Sequence, residues 1–154
     1  MMAFDTETAS RDGERQRLIE AIESSSDGFA LFDAEDRLRL CNGHFRDFHP
    51  GLDAVIAPGA AFSAIARAAA ENCVVREEGV TGDAWLESRL ALFRDPRGPI
   101  LQQQRDGRWI QINERRTRDG GTVAVYADVT EIKRTEQALL TTQGRLTYLL
   151  TASP

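Results

Sequence analysis

The sequence predicts an α+β domain: a five-stranded antiparallel sheet in the order β-β-α-α-α-β-β-β, with one further helix at each end. Three observations carry this. A short β-prone run, Phe29-Ala30-Leu31-Phe32-Asp33, is followed by a turn and by the alternating segment Arg37 to Cys41. Two Asp-Gly dipeptides, Asp106-Gly107 and Asp119-Gly120, then separate three more alternating segments. That dipeptide between apolar alternations is the strongest short-range hairpin signal. Between the two groups lie helical periodicities.

Taken in order, a polar stretch over 1–12 is expected to be disordered. An amphipathic helix follows over 13–26, with Leu18, Ile19 and Ile22 as its stripe, broken by Ser24-Ser25-Ser26-Asp27-Gly28. The main domain then spans 27–129. After its first hairpin, Asn42 caps a short helix through Phe45 and Phe48, stopped at His49-Pro50-Gly51. Pro58 is placed in the first turn of a longer helix whose Phe62, Ile65, Ala66, Ala69 and Cys73 fall on one face. Val74 to Gly82 connects to another helix, capped by Asp83 and ended near Asp95-Pro96, with Leu86, Leu90 and Phe93 inward. The last three strands are Ile100 to Arg105, Arg108 to Thr117 and Thr122 to Val129. In the middle one Ile110 and Ile112 face the core. In the last, Val123, Val125 and Ala127 take the core face, and Ala124, Tyr126 and Asp128 the outer one.

Asp128-Val129-Thr130-Glu131 has the spacing of a capping box and starts a helix over 130–150, with 151–154 opening a next segment. In that helix Ile132, Leu139 and Leu146 recur every seven residues, with Thr135, Thr142 and Leu149 at the complementary positions. This is a short coiled-coil seam, weakened by Gly144.

Bulk properties exclude several classes of function. With 154 residues, 42% hydrophobic and 28% charged, the chain has material for one domain and its helical extensions. A net charge of −5 argues against nucleic acid as a partner. Arg115, Arg116 and Arg118 read as a solvated hairpin end. No apolar run suits a membrane span, and Met1 to Glu14 is no signal peptide, so a cytoplasmic location is the default. Cys41 and Cys73 are too few for a disulfide framework and read as partly buried thiols.

These residues together resemble a PAS domain. The resemblance rests on Gly28-Phe29-Ala30-Leu31-Phe32-Asp33, on Leu40-Cys41-Asn42 turning into Phe45, and on Arg105-Asp106-Gly107-Arg108-Trp109. Gly120-Gly121-Thr122-Val123 and the Asp128-Val129-Thr130-Glu131 exit complete it. The helix from Asp83 to Phe93 is similar to an insertion in one bacterial signalling subgroup. The resemblance covers Leu18 to Arg134. It implies sensing, dimerisation through flanking helices, and control of an attached kinase, cyclase or phosphodiesterase, as in two-component and related bacterial signalling.

Cofactors are left unknown, with haem and LOV-type flavin disfavoured. Flavin photosensors carry Gly-x-Asn-Cys-Arg-Phe-Leu-Gln, and here Asn72-Cys73 is followed by Val74-Val75-Arg76 at the end of a helix. Haem-binding relatives use a His on the long helix, and Phe62 to Cys73 has none. His44 and His49 are assigned surface or capping roles. There is no phosphate-binding loop, no nucleophile elbow and no His/Cys cluster at metal spacing, so no catalytic residue and no metal is assigned.

Pocket candidates are the expected inward positions Phe32, Leu40, Phe45, Phe62, Ile65, Ile110, Ile112, Val123 and Val125, with Gln103 and Asn113 as the polar groups. They serve equally as plain core. The signalling junction is Asp128, Val129, Thr130 and Glu131. A homodimer is expected through Leu18, Ile22, Trp109, Tyr126 and the C-terminal helix, with an output domain in the same polypeptide. The competing reading is a stand-alone ligand carrier or small enzyme of similar fold, for which the seam leading out of the domain has no use.

Overall fold

In a computed structural model of the chain, the backbone is described for residues 2–72 and 82–152, and side chains for 11–72 and 82–143. The elements are α1 (Met2–Ser24), β1 (Gly28–Phe32), β2 (Leu38–Cys41), α2 (Gly43–Asp47) and α3 (Phe62–Glu71). They continue with α4 (Gly82–Arg94), β3 (Ile100–Gln103), β4 (Trp109–Arg116), β5 (Thr122–Asp128) and α5 (Thr130–Ala152). The five strands form one antiparallel sheet in the order β2-β1-β5-β4-β3. The fold class and the element order are those expected.

The two hairpins close as the Asp-Gly dipeptides require. Gly107 and Gly120 take positive φ, 95° and 87°, while the aspartates before them do not. Each loop is therefore a tight turn ending in a left-handed glycine. Gln104 N–H bonds the Arg108 carbonyl at one turn, and Thr117 N–H bonds the Gly121 carbonyl at the other.

The core lies between one sheet face and α2, α3 and α4. Phe62, Ile65, Ala66 and Ala69 of α3 are buried on the predicted stripe. The ring of Phe62 stacks on Phe93 of α4 with centroids 3.7 Å apart, and Phe32 of β1 meets both edge-on at 5.5 and 5.2 Å. Truncating a buried phenylalanine in such a cluster typically costs about 3–5 kcal/mol. At Gly28 the backbone of β1 runs so close to α2 that a Cβ would lie 3.0 Å from the Phe45 Cα and 2.8 Å from the Phe48 ring.

The largest departure from expectation is one of strand parity. In β5 it is Thr122, Ala124 and Tyr126 that are buried in the core, while Val123 and Val125 face outward and are half-buried. Register makes this unavoidable. Tyr126 is directly opposite Ile112 and Ala124 opposite Glu114, and directly paired residues share a face. Both faces of β5 are apolar, so its sequence alone cannot choose between them. The same slip affects β3, where Gln102 and not Gln103 is buried. In β2 Leu38 is buried and Leu40 is exposed. Asn113 is exposed on the outer face of β4.

Element boundaries also differ. α1 reaches back to Met2 over the stretch expected to be disordered. No glycine or proline interrupts residues 2–12, and lengthening an existing helix adds a hydrogen bond per residue without a new nucleus. α3 begins at Phe62 rather than at Pro58, because Gly59 at φ 89° intervenes. Asp83 sits in the first turn of α4 rather than at its cap. Cys73, and the side chains of Gly144, Leu146 and Leu149, lie outside the described residues.

Candidate functional site

Beneath the sheet the largely apolar core contains a polar layer. Ile110, Ile112 and Glu114 succeed one another on the inner face of β4, and Arg89 takes an inward position on α4 between Leu86 and Phe93. The Arg89 guanidinium donates to Glu114 Oε1 at 2.9 Å and to Oε2 at 2.6 Å, a two-pronged pair, and reaches the Tyr126 hydroxyl at 3.4 Å. It also lies 5.0 Å over the Phe62 ring. Burial alone would lower the Arg89 pKa; Tyr126 and Glu114 outweigh it and hold the guanidinium protonated above its ordinary range. Burial likewise pushes the Tyr126 phenol up, against the opposing pull of Arg89.

His49 completes this layer. It is 7% exposed, and its Nδ1–H donates to the Phe45 carbonyl at 2.7 Å, satisfying a carbonyl that the end of α2 leaves open. It therefore caps, as expected, but is a core and not a surface residue. Burial lowers its pKa to about 4, with a further push from Arg89, so the ring is neutral at pH 7. His44 stays half-exposed near Asp47. Gln104 of the β3–β4 turn is buried and ties this layer to α2 through the Phe48 carbonyl at 2.6 Å.

Between these groups is a recess of about 20 Å³, room for one water-sized body, lined by His49, Arg89, Gln102 and Tyr126 among apolar side chains. A more open chamber of about 200 Å³ adjoins it and shares Trp85, Arg89 and Gln102 as walls. Of the expected pocket residues, Phe62 and Ile65 line the recess. Phe32, Phe45, Ile110 and Ile112 are core around it. Leu40, Gln103, Asn113, Val123 and Val125 lie elsewhere, as described above. Arg89, Glu114 and Gln102 are not among the residues expected at a site, while His49 and Tyr126 are expected in other roles, as a surface or capping residue and at a dimer face. A signal existed for two of them: Glu114 follows the inward isoleucines at period two, and Arg89 follows Leu86 at helical spacing.

Two junctions tie the flanking helices to the domain. At the first, the Asn42 carboxamide accepts from Phe29 N–H at 2.9 Å and from Phe45 N–H at 3.0 Å, capping α2 as predicted. The same side chain donates to the carbonyls of Ile22 at 2.8 Å and Asp27 at 2.9 Å, so it holds the end of α1 as well. At the second, Asp128 Oδ1 accepts from Thr130 N–H at 2.9 Å and from its hydroxyl. The Thr130 oxygen in turn accepts from Trp109 N–H at 2.9 Å, while Val129 N–H donates to the Trp109 carbonyl at 2.8 Å. Both backbone groups of Trp109 are thus engaged by the exit segment. Lys133 lies 5.2 Å over the Trp109 ring. Tyr126, expected at a dimer face, is instead in the core, whereas Trp109 is on the outer side and half-buried.

Among the described residues no group of three or more His, Cys, Asp or Glu is placed to hold a metal ion, and no helix is long and apolar enough to cross a membrane.

An antiparallel sheet wrapped on one face by short helices around a polar recess, with a long helix leaving the last strand, defines a small α+β module of the sensory kind. The chain belongs to the PAS family, matching the PAS fold over residues 22–137. It is 37% identical over 122 residues to the non-motile and phage-resistance protein of Caulobacter vibrioides. That match covers 79% of this chain but only 13% of the relative's length. Among solved structures, the phage VqmA–DPO complex resembles it with a TM-score of 0.51 at 16% identity, covering 96% of this chain and 71% of that one. The PAS domain of an HTR-like protein from Haloarcula marismortui scores 0.47 at 17% identity, with 80% and 98% covered. The PAS domain of Bordetella pertussis BvgS scores 0.45 at 14%, with 84% and 98% covered.

Proposed function

We propose that this domain is a non-catalytic sensor and dimerisation module of a longer signalling protein, which passes conformational change through α5 to an output domain such as a kinase, cyclase or phosphodiesterase. The observation that carries the reading is the double engagement of Trp109. β4 holds Glu114 of the buried pair toward one end and the exit of α5 at the other, so a shift of β4 is transmitted to the helix through one backbone hydrogen bond, Val129 N–H to the Trp109 carbonyl, and one from Trp109 N–H to the Thr130 hydroxyl oxygen. The Caulobacter relative, of which this chain spans only 13%, supports a multidomain setting.

Dimerisation is supported by the exposed apolar faces. Leu18 on α1 is 64% exposed, and Ile132 and Leu139 on the α5 seam are 69% and 57% exposed. On the outer sheet face Leu31 pairs with both Leu40 and Val123, and Phe29 with Val125, an apolar stripe across β2, β1 and β5. This stripe replaces Tyr126 in the dimer surface.

The reading is tested in the parent protein by Thr130→Val. Output should lose its response while the domain itself keeps a cooperative melt; an unchanged response refutes the pathway. Light scattering of this 154-residue chain tests dimerisation. A dimer that Val125→Lys converts to monomer is expected, and a monomer in both cases removes that part.

A further inference from the structure

Two buried carboxamides, Asn42 and Gln104, hold the opposite ends of α2 and are 1% and 2% exposed. Asn42 uses every bond its side chain can form: two accepted from Phe29 and Phe45 N–H, two donated to the Ile22 and Asp27 carbonyls. Ile22 lies in the last turn of α1, where carbonyls lose their helical partners. One side chain therefore closes α1 and opens α2. At the other end of α2, the Phe48 carbonyl accepts from Gln104 Nε2 at 2.6 Å and the Asp47 carbonyl from Arg108 Nη2 at 3.2 Å. The same Arg108 nitrogen donates to Gln104 Oε1 at 2.8 Å, and the guanidinium lies 5.5 Å over the Phe48 ring. Gln104 and Arg108 form one clamp.

The clamp leads straight to the exit. Arg108 is followed in the chain by Trp109, whose N–H and carbonyl both hold the start of α5. The end of α1 is thus joined to the start of α5 through α2, and none of these bonds belongs to the ladder between β1 and β5. Little in this connection can give. α2 is only five residues long, and Phe45 and Phe48 on it are 1% and 4% exposed. Against β1 it has no gap to tilt into, since even a Cβ at Gly28 would lie 2.8 Å from the Phe48 ring. A close-packed element of this kind passes a displacement on instead of absorbing it.

We propose that α2 is a strut coupling the end of α1 to the start of α5, with Asn42 as its input contact and the Gln104–Arg108 clamp as its output. This goes beyond the sensor reading: it gives the module a second input, a displacement of α1, that needs no ligand. Amide hydrogen exchange in the 154-residue chain tests it. Ala21 is exposed, so Ala21→Gly loosens the end of α1 without touching the core. Exchange of Ser25 N–H, bonded to the Ala21 carbonyl, should quicken about fivefold. The Trp109 and Val129 N–H groups should then quicken by at least about twofold, while the amides of β5 do not. Gln104→Met keeps the side chain's length and removes both of its polar bonds; in that background the response at Trp109 and Val129 to Ala21→Gly should vanish. Arg108→Met alters a side chain that is 29% exposed and should at least roughly halve the response.

No change at Trp109 and Val129 on Ala21→Gly overturns the proposal. So does a rise shared evenly with β5, or a response that Gln104→Met leaves intact, since the sheet and not α2 would then carry it. If Gln104→Met does not melt cooperatively, an undiminished response in Arg108→Met overturns it equally. The transmission from β4 to α5 is read separately, from output in the Thr130→Val parent protein, and its outcome does not depend on Ala21→Gly.

Discussion

Arg89 lies against both carboxylate oxygens of Glu114, at 2.9 and 2.6 Å, with the two side chains only 4% and 2% exposed. This pair fastens α4 to β4 near the strand's C-terminal end. A buried ion pair adds little net stability, because desolvating two charges offsets their attraction, but removing one partner strands the other. Arg89→Ala should therefore cost about 3–5 kcal/mol in urea unfolding. The double change Arg89→Met with Glu114→Leu should recover most of that loss. If the double variant is as unstable as the single one, packing rather than charge is what the pair supplies.

His49 gives the domain an acid sensitivity of predictable sign. Its pKa is about 4 in the fold against an ordinary 6.5, so between those values the unfolded chain binds the extra proton and the folded one does not. This contribution is fully present above about pH 6.5 and is lost as the pH falls toward 4, reaching at most about 3 kcal/mol. His49→Asn keeps a donor near the Phe45 carbonyl and does not titrate. Its stability should fall less steeply than wild type between pH 6.5 and 4 in denaturant melts; parallel curves would remove His49 as the cause.

At the exit from the sheet the two polar side chains should rank differently. Asp128→Ala removes one acceptor at the start of α5 and should cost about 1 kcal/mol. Thr130→Val also leaves the Trp109 N–H without its acceptor, so it should cost more. Amide hydrogen exchange should quicken first in α5, with β1 and β5 still protected. Equal losses, or exchange rising evenly through the sheet, would mean that the junction is not a separate unit.

Gly121 has no room for a side chain, since an added Cβ would overlap the Phe32 carbonyl oxygen on the neighbouring strand. That atom belongs to backbone and cannot swing aside. Gly121→Ala should cost about 1–3 kcal/mol, as overpacking does. Gly120→Ala meets only ordinary contact with Ala34 but must hold φ near 87°, for which about 1 kcal/mol is expected. Thermal melts of the two variants separate the effects, and a Gly121→Ala protein as stable as wild type contradicts the close approach.

The strands and both glycine turns were legible because period-two alternation and Asp-Gly are local signals. So was the α3 stripe from Phe62 to Ala69, and so was the Asn42 cap. Parity in β5 was not, because valine, alanine and tyrosine suit either face, and the choice is made by Ile112 and Glu114 across the ladder. The buried pair escaped for a related reason. A charged residue at an inward position reads as an error in the pattern until its partner, 25 residues away in sequence, is seen to meet it.

Gly28, where the chain comes in from α1, is directly paired with Tyr126, two residues before the chain leaves for α5. The domain's two ends therefore adjoin on neighbouring central strands. Such a unit can be spliced into a longer polypeptide much as a bead is threaded, with the segments before and after it held side by side. On the function proposed above, a small change of twist between β1 and β5 would act on both attached helices at once, as a coupling in a shaft does rather than a switch at its end.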